Sequence, residues 1–384
     1  MIIKIVSFII VFTVIILAHE IGHFVFSRLA GIRVLELGMG LGPRIFGVLK
    51  DKTKYTLNLL PIGGFVRIAG LDEDTTDKNE SFTPKESYLT KRPGQKFLAI
   101  FGGPLFNMLL AAIIFYFMFI ISGVPSGTSN EIDIVTPASA AQKVGIMSGD
   151  RILKVEVKKN DLEKAIDKFQ DDVKKILSEN GTNNNIEDTE GAKGKSDIIA
   201  MIGIIHNNPG KTIIITLDRN GKEIKKTVIP KLNSKLGIGL IGISLKSIYI
   251  KTDPIRAVYL CLKQLLLTSI SILYVLGLLI VGKVSLFDLA GPVGIAQFTG
   301  QVAGEGIVPL LYFTAYLSIN LGLINLLPIP ALDGGRLVFI IIEWIRKKAV
   351  DPILENKIHQ VGFALLLAIL ALVTVSDVIK IFAK

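Results

Sequence analysis

The sequence predicts an α-helical integral membrane protein whose membrane part is interrupted by a single water-facing α+β domain. Three observations point there. Half of the 384 residues are hydrophobic and only 20% are charged, which excludes a disordered chain, a collagen and an ordinary soluble enzyme. The apolar residues are concentrated, since neither 97–130 nor 306–332 contains an Asp, Glu, Lys or Arg, and about 20 helical residues suffice to cross a bilayer. Between Ser126 and Ile250 the composition turns to that of a domain in water.

The elements follow in order. The run from Ile2 continues in helical pattern past His19 and Glu20 to Leu29 with no small-residue cleavage site, so it reads as a retained span over about 2–29 and not as a removed signal. A second span covers about 97–121 and closes a first membrane half, 1–125. The soluble domain, 126–250, carries strand and turn signatures in IMSGDRILKVEV and GKTIIITLDRNGKEIKKTVIP, with Asn220-Gly221 as a hairpin turn. It is split by a charged, apolar-poor insertion at 157–197, expected to form an exposed helix and a mobile loop. The second membrane half, 251–384, holds a span at about 308–327, broken by Pro328 and Pro330, and another at about 360–382. The stretch 264–282 is uncharged and long enough to cross, yet Gln264, Thr268 and Ser271 line one side. Length alone leaves open a spanning helix or an interfacial one over 256–282.

His19-Glu20-Ile21-Gly22-His23 is an HExxH pattern on a predicted helix. Residues four apart share a face, so both imidazoles can meet one cation with Glu20 beside it, the arrangement of a zinc hydrolase. By chance the pattern is expected roughly twice in a thousand chains of this size and composition. Two histidines and an acid inside a membrane helix are also costly unless they serve a function. Catalytic zinc normally takes three protein ligands. With one cysteine, Cys261, and four histidines, the choice is short. His206 lies in the soluble part and His359 at the polar entry to the last span, and both read as surface or structural histidines and not as ligands. Asp333, the first charge after a run of uncharged residues, fits better, and the Gly334-Gly335 pair after it is expected to let the chain turn sharply.

HEIGH, the GGPLFN stretch at 102–107 and NLLPIPALDGG together resemble the site-2 protease family of intramembrane zinc metalloproteases, of the bacterial regulator of sigma-E protease type. The resemblance implies that His19, His23 and Asp333 bind Zn2+, that Glu20 is catalytic, and that Asn325 helps position substrate. It also implies that 126–250 is one PDZ-like domain, split by the 157–197 insertion, whose partner would be a C-terminal or unfolded peptide. The segment 55–70, which alternates like a hairpin around Gly63, Gly64 and Phe65, resembles the family's membrane re-entrant β-element. An edge strand there would capture an unwound substrate by strand addition. The substrates implied are single-pass membrane proteins, such as anti-sigma factors or remnant signal peptides, in regulated intramembrane proteolysis.

Charge sets the expected sidedness. The segment from Arg28 to Lys96 carries twelve Lys and Arg, and Arg336, Arg346, Lys347, Lys348 and Lys357 follow Asp333. Both segments should face the cytoplasm of a bacterial inner membrane, with the PDZ-like domain in the periplasm and the active site near the cytoplasmic side. If 264–282 crossed the bilayer, Asp333 would emerge a full membrane thickness from His19, so that helix is expected to be interfacial, leaving four spans. The net charge of +10 is dispersed and suits anionic lipid headgroups in place of nucleic acid. The competing reading is a membrane metal carrier or channel using the same His and Asp. Transporters commonly repeat their architecture, and no internal repeat is visible here.

Overall fold

A computed structural model describes residues 2–71, 82–157, 190–233, 237–285 and 290–382. The chain divides into two compact units, Met1–Ser122 with Thr252–Lys384, and Gly123–Lys251. In the first unit, helix α1 (Ile2–Leu29) leads into two long strands, β1 (Val34–Lys50) and β2 (Thr53–Ile68), and helix α2 (Pro93–Ile121) follows. After the second unit come α5 (Pro254–Ile280), α6 (Pro292–Glu305), α7 (Ile307–Asn325), α8 (Asp333–Arg346) and α9 (Pro352–Phe382). Among the described residues, five helices, α1, α2, α5, α7 and α9, are long and apolar enough to cross a membrane. The last begins at Pro352, before the expected start near 360, and therefore takes in His359.

The contacts fix the direction of α7. Gln264 Nε2 donates to the Tyr312 hydroxyl at 3.0 Å, and the Tyr312 ring lies 5.5 Å from that of Phe115, so the start of α7 is level with the last turns of α2. Ser318 Oγ donates to the Asn107 carbonyl at 2.8 Å, so α7 runs back along α2 toward its beginning. Helix α6 is held at its N-terminus by a buried carboxylate of α9, Asp377, which accepts from the Gly294 N–H at 2.8 Å. Near the other end of α2, Lys96, 4% exposed, forms an ion pair with Glu343 of α8 at 2.9 Å. Removing one member of a pair so buried costs about 3–5 kcal/mol, which ties α8 to α2.

The hairpin expected at 55–70 is built differently. The tight turn is at Asp51-Lys52, both in the left-handed region, between Lys50 and its partner Thr53. Breaks in register let residues 36–39 of β1 face two stretches of β2: Glu36 to Met39 lie opposite 67 down to 64, and also beside 54 up to 57. The chain does reverse near Gly63, φ +85°, but the two arms of that reversal flank β1 and do not pair with each other. The alternating pattern of 55–70 carried no sign of the strand inserted between them. Residues 41–50, by contrast, are exposed and include Ile45, Phe46 and Leu49.

The second unit contains β3 (Val124–Val135), the short helix α3 (Ala140–Lys143), β4 (Arg151–Val157), α4 (Glu190–His206), β5 (Ile213–Arg219), β6 (Lys222–Val228), β7 (Lys231–Asn233), β8 (Ile238–Leu240) and β9 (Ile243–Ile250). Its main sheet is antiparallel in the order β6-β5-β4-β3-β9. Ile213, Ile215 and Leu217 on one face of β5 are fully buried, each contributing roughly 2 kcal/mol. Asn220 and Gly221, at φ 55° and 80°, form the expected turn between β5 and β6. Of the 157–197 insertion, residues 158–189 lie outside the described residues, and Glu190 onward is helix α4. Asp150, 1% exposed, is gripped by Arg219 through bonds of 2.7 and 2.8 Å and accepts the Met147 N–H at 2.9 Å. The guanidinium holds its carboxyl below the usual carboxylate range. Such a group stabilises the fold fully above the unfolded carboxylate value of about 4 and loses that contribution as pH falls toward its own lower value. Asp150→Asn in the full chain should therefore lower the thermal unfolding temperature of the sheet, followed by far-UV circular dichroism, at neutral pH, and its gap to wild type should shrink below about pH 4.

Candidate metal centre

Helices α1 and α2 cross with no side chains between them at one point. A Cβ added at Gly22 would lie 2.1 Å from the Gly102 carbonyl oxygen, and one at Gly102 would lie 2.5 Å from that of Gly22. Small residues permit this backbone approach in membrane helices. Directly beside it, a Cβ at Gly103 would lie 2.3 Å from His23 Nε2 and 2.8 Å from His19 Cε1. The glycine pair thus opens the space that the two imidazoles occupy.

Asp333 comes from the other half of the chain. Ala331, at φ 81°, takes the left-handed conformation that the sharp turn requires, and its N–H donates to His359 Nδ1 at 2.9 Å. Gly334 and Gly335 are not the turn; they are the helical first residues of α8. A Cβ at Gly334 would sit 2.1 Å from the Leu327 carbonyl oxygen, and one at Gly335 2.5 Å from that of Ile329, so these glycines let α8 tuck under the end of α7. His359, read from sequence as a surface or structural histidine, braces the loop two residues before Asp333. Gly362 is the companion signal, since a Cβ there would meet Pro330 Cβ at 2.5 Å.

The three predicted ligands converge. His19 Nε2 is 3.1 Å from His23 Nε2, and Asp333 Oδ2 is 3.2 Å from the first and 3.4 Å from the second. Tetrahedral zinc with ligands at about 2.0–2.1 Å sets neighbouring ligand atoms about 3.3 Å apart. His23 Nδ1 lies 2.9 Å from the Ala99 carbonyl and so must be its protonated nitrogen, leaving the Nε2 lone pair facing the carboxylate. Asp333 Oδ2 is buried without a hydrogen-bond partner. Electron pairs crowded on one buried point repel unless a cation lies between them, so the donor set fits zinc.

Around this point, Glu20 accepts a hydrogen bond from the backbone of Val66, and a Cβ at Gly64 would lie 3.4 Å from Glu20 Cγ. Asn325 Nδ2 is 3.4 Å from His19 Nε2. Phe65 lays its ring over Gly38, where a Cβ would be 2.3 Å from Cε1. Gly63 is more remote, against the Leu41 side chain. His206 belongs to the other unit and lines a groove there. Among the described residues, His19, His23 and Asp333 form the one cluster of three or more such side chains able to hold a metal.

A family model for peptidase family M50 matches residues 7–369. The chain belongs to peptidase family M50. It is 32% identical to the zinc metalloprotease RasP of Geobacillus kaustophilus over 99% of this chain and 98% of that one. To the zinc metalloprotease RasP of Bacillus licheniformis it is 29% identical, over 98% and 99%. With a buried His-His-Asp triad of metal-binding dimensions, this M50 peptidase is a zinc metalloendopeptidase, and its site lies among helices able to cross a bilayer. It is a bacterial multi-pass membrane protein acting on membrane proteins. Because the space for the imidazoles is a missing Cβ, Gly103→Ala in this M50 peptidase should weaken zinc binding at least ~10-fold, measured by chelator competition on the purified protein.

Proposed function

We propose that the protein is an intramembrane endopeptidase that cuts single-pass membrane proteins in or near their transmembrane segment, close to the inner membrane face. The observation that carries the proposal is the meeting of His19, His23 and Asp333 atoms within 3.1 to 3.4 Å, beside Glu20. In this reading His19, His23 and Asp333 hold zinc, which when bound polarises a scissile carbonyl and acidifies water. Glu20 takes a proton from the attacking water and passes it to the leaving amide nitrogen. Asn325 donates from Nδ2 to the substrate backbone. Residues 64–67 of β2 pair with β1 and run beside Glu20, which takes a hydrogen bond from the Val66 backbone, and in this reading a substrate strand docks along Gly64 and Phe65. Captured there along Gly63, Gly64 and Phe65, an unwound peptide runs past Glu20, and its backbone groups find partners that lipid cannot give.

Four of the five candidate helices cross in this reading. The end of α2 and the start of α7 are level, so the chain between them must cross an even number of times or not at all. Among the described residues, the helix available for a return beside α5 is α6, which has 14 residues and rises about 21 Å, short of the roughly 30 Å core. That supports an interfacial or dipping α5. The basic segments support a site near the cytoplasmic face of a bacterial inner membrane, with residues 126–250 outside. The latter unit reads as a PDZ-like module for a C-terminal or unfolded peptide. A groove of about 570 Å³ runs between α4 and β9, walled by Met201, Ile202, Ile205, Ile243 and Leu245, and β9 is the edge strand of the sheet. Substrates of the anti-sigma factor or remnant signal peptide kind suit such a division of labour.

Two experiments test this reading. Glu20→Gln should retain zinc and lose cleavage of a model transmembrane substrate by at least ~100-fold, while Asp333→Ala should lose zinc; proteolysis surviving in either purified variant would sink the scheme. In a Cys261→Ser background, Lys283→Cys should react with a membrane-impermeant thiol reagent added from outside the cell, and reactivity from the inside alone would mean that α5 crosses.

A further inference from the structure

A histidine that gives its Nε2 lone pair to a metal carries its one ring proton on Nδ1, and that proton needs an acceptor when buried. For His23 the acceptor is the Ala99 carbonyl. For His19 the atom 3.2 Å from Nδ1 belongs to the side-chain amide of Asn107, a residue with 0% exposure. As placed, that atom is Nδ2, so with the proton on His19 Nδ1 two N–H groups face each other, while Oδ1 is buried with no partner. A half-turn about the last side-chain bond exchanges the two atoms in nearly the same space. Both faults then disappear.

We propose that Asn107 is a positioning residue for His19: its Oδ1 accepts the Nδ1–H, fixes the tautomer that leaves Nε2 free, and holds the ring toward Asp333. The proposal rests on the reading of His19, His23 and Asp333 as zinc ligands. Asn107 is itself fixed by its neighbours. Its carbonyl accepts the Ser318 hydroxyl at 2.8 Å, and Gly322, where a Cβ would lie 3.3 Å from Asn107 Cβ, brings α7 up close. Helices α2 and α7 therefore fix the main chain and Cβ of Asn107, from which its amide reaches His19. The two histidines also differ in kind. His23 is oriented by a main-chain carbonyl that a substitution at Ala99 would leave in place, whereas His19 depends on a replaceable side chain. A neutral amide supplies the acceptor without adding a third carboxylate beside Glu20 and Asp333.

The test uses the purified full chain, with zinc affinity measured by competition against a fluorescent chelator and thermal unfolding measured without zinc. Asn107→Leu keeps the volume and removes the acceptor; zinc affinity should fall about 10–100-fold while zinc-free unfolding changes little. Asn107→Asp restores an acceptor and should recover affinity to within a few-fold of wild type, a rescue that a packing role would not produce, since a carboxyl group fits a buried apolar contact less well than Leu. Wild-type affinity in the Leu variant, or an Asp variant that folds yet binds as weakly as Leu, overturns the proposal. Should either variant fail to fold, nitrogen-15 spectra of the zinc-loaded wild type decide: a proton on His19 Nδ1 supports the assignment, and a metal-ligated Nδ1 overturns it. A wild-type chain that takes up no zinc would instead overturn the metal-centre reading beneath it.

Discussion

Three electron-pair donors held on one buried point constrain most of the membrane unit. His19 and His23 come from the first helix and Asp333 from the start of α8, more than three hundred residues later in the sequence, and their ligating atoms stand 3.1 to 3.4 Å apart. Such a cluster is unfavourable alone, because the lone pairs repel and the membrane offers little solvation. The surrounding packing must therefore hold it. Backbone contact at Gly22 and Gly102, the space at Gly103, and the tucked glycines of α8 all remove side chains so that helices reach this point. The ion pair of Lys96 with Glu343 and the bond from Ala331 to His359 then fix the two ends of the Asp333 segment.

This arrangement explains what the sequence disclosed and what it withheld. HExxH was legible because helical periodicity alone puts two ligands on one face, and Asp333 because a carboxylate after so long an apolar run needs a partner. The supporting residues are of another kind. Gly22, Gly102, Gly103 and Gly362 act through the side chain they lack, and nothing local says which helix will approach a given glycine. A signal did exist, in the density of glycine within segments whose helix propensity argues against it. His359 braces the loop before Asp333, and its partner, the N–H of Ala331 at positive φ, has no sequence signature. The β-element was misjudged for a similar reason: alternation reports which face is buried, and cannot report that β1 threads between the two arms of β2.

The second unit stands in a different relation to the chain. Val124 and Ile250 are partners in the β3–β9 ladder, so the unit begins and ends at one place. For the membrane unit, the whole of Gly123–Lys251 closes like a short loop between α2 and α5, and loop closure grows only slowly more costly with length. The second unit can therefore have its own core, sealed by Ile213, Ile215 and Leu217, with its own edge strand. Its hydrophobic pattern was legible in sequence for the same reason: a sheet with one covered face in water alternates cleanly, whereas helices with lipid on one side and protein on the other are apolar all round.

That last contrast bears on the chemistry. In a lipid-facing helix almost every residue is apolar whether it touches lipid or protein, so polarity, where it occurs, carries information. Along α2 the uncharged polar side chain that is fully buried is Asn107, and it lies against a ligand nitrogen; along α7, Ser318 is fully buried and lies against the Asn107 carbonyl. Asn325 at the end of α7 lies against His19 again. Two polar side chains, one on each helix, thus meet at His19, and Ser318 anchors the main chain of the first. A hydrogen bond made where no water competes is stronger than in solution, and an unmade one costs more. The same dryness that makes a transmembrane helix hard to unwind makes these short polar contacts rigid, so the site keeps its geometry.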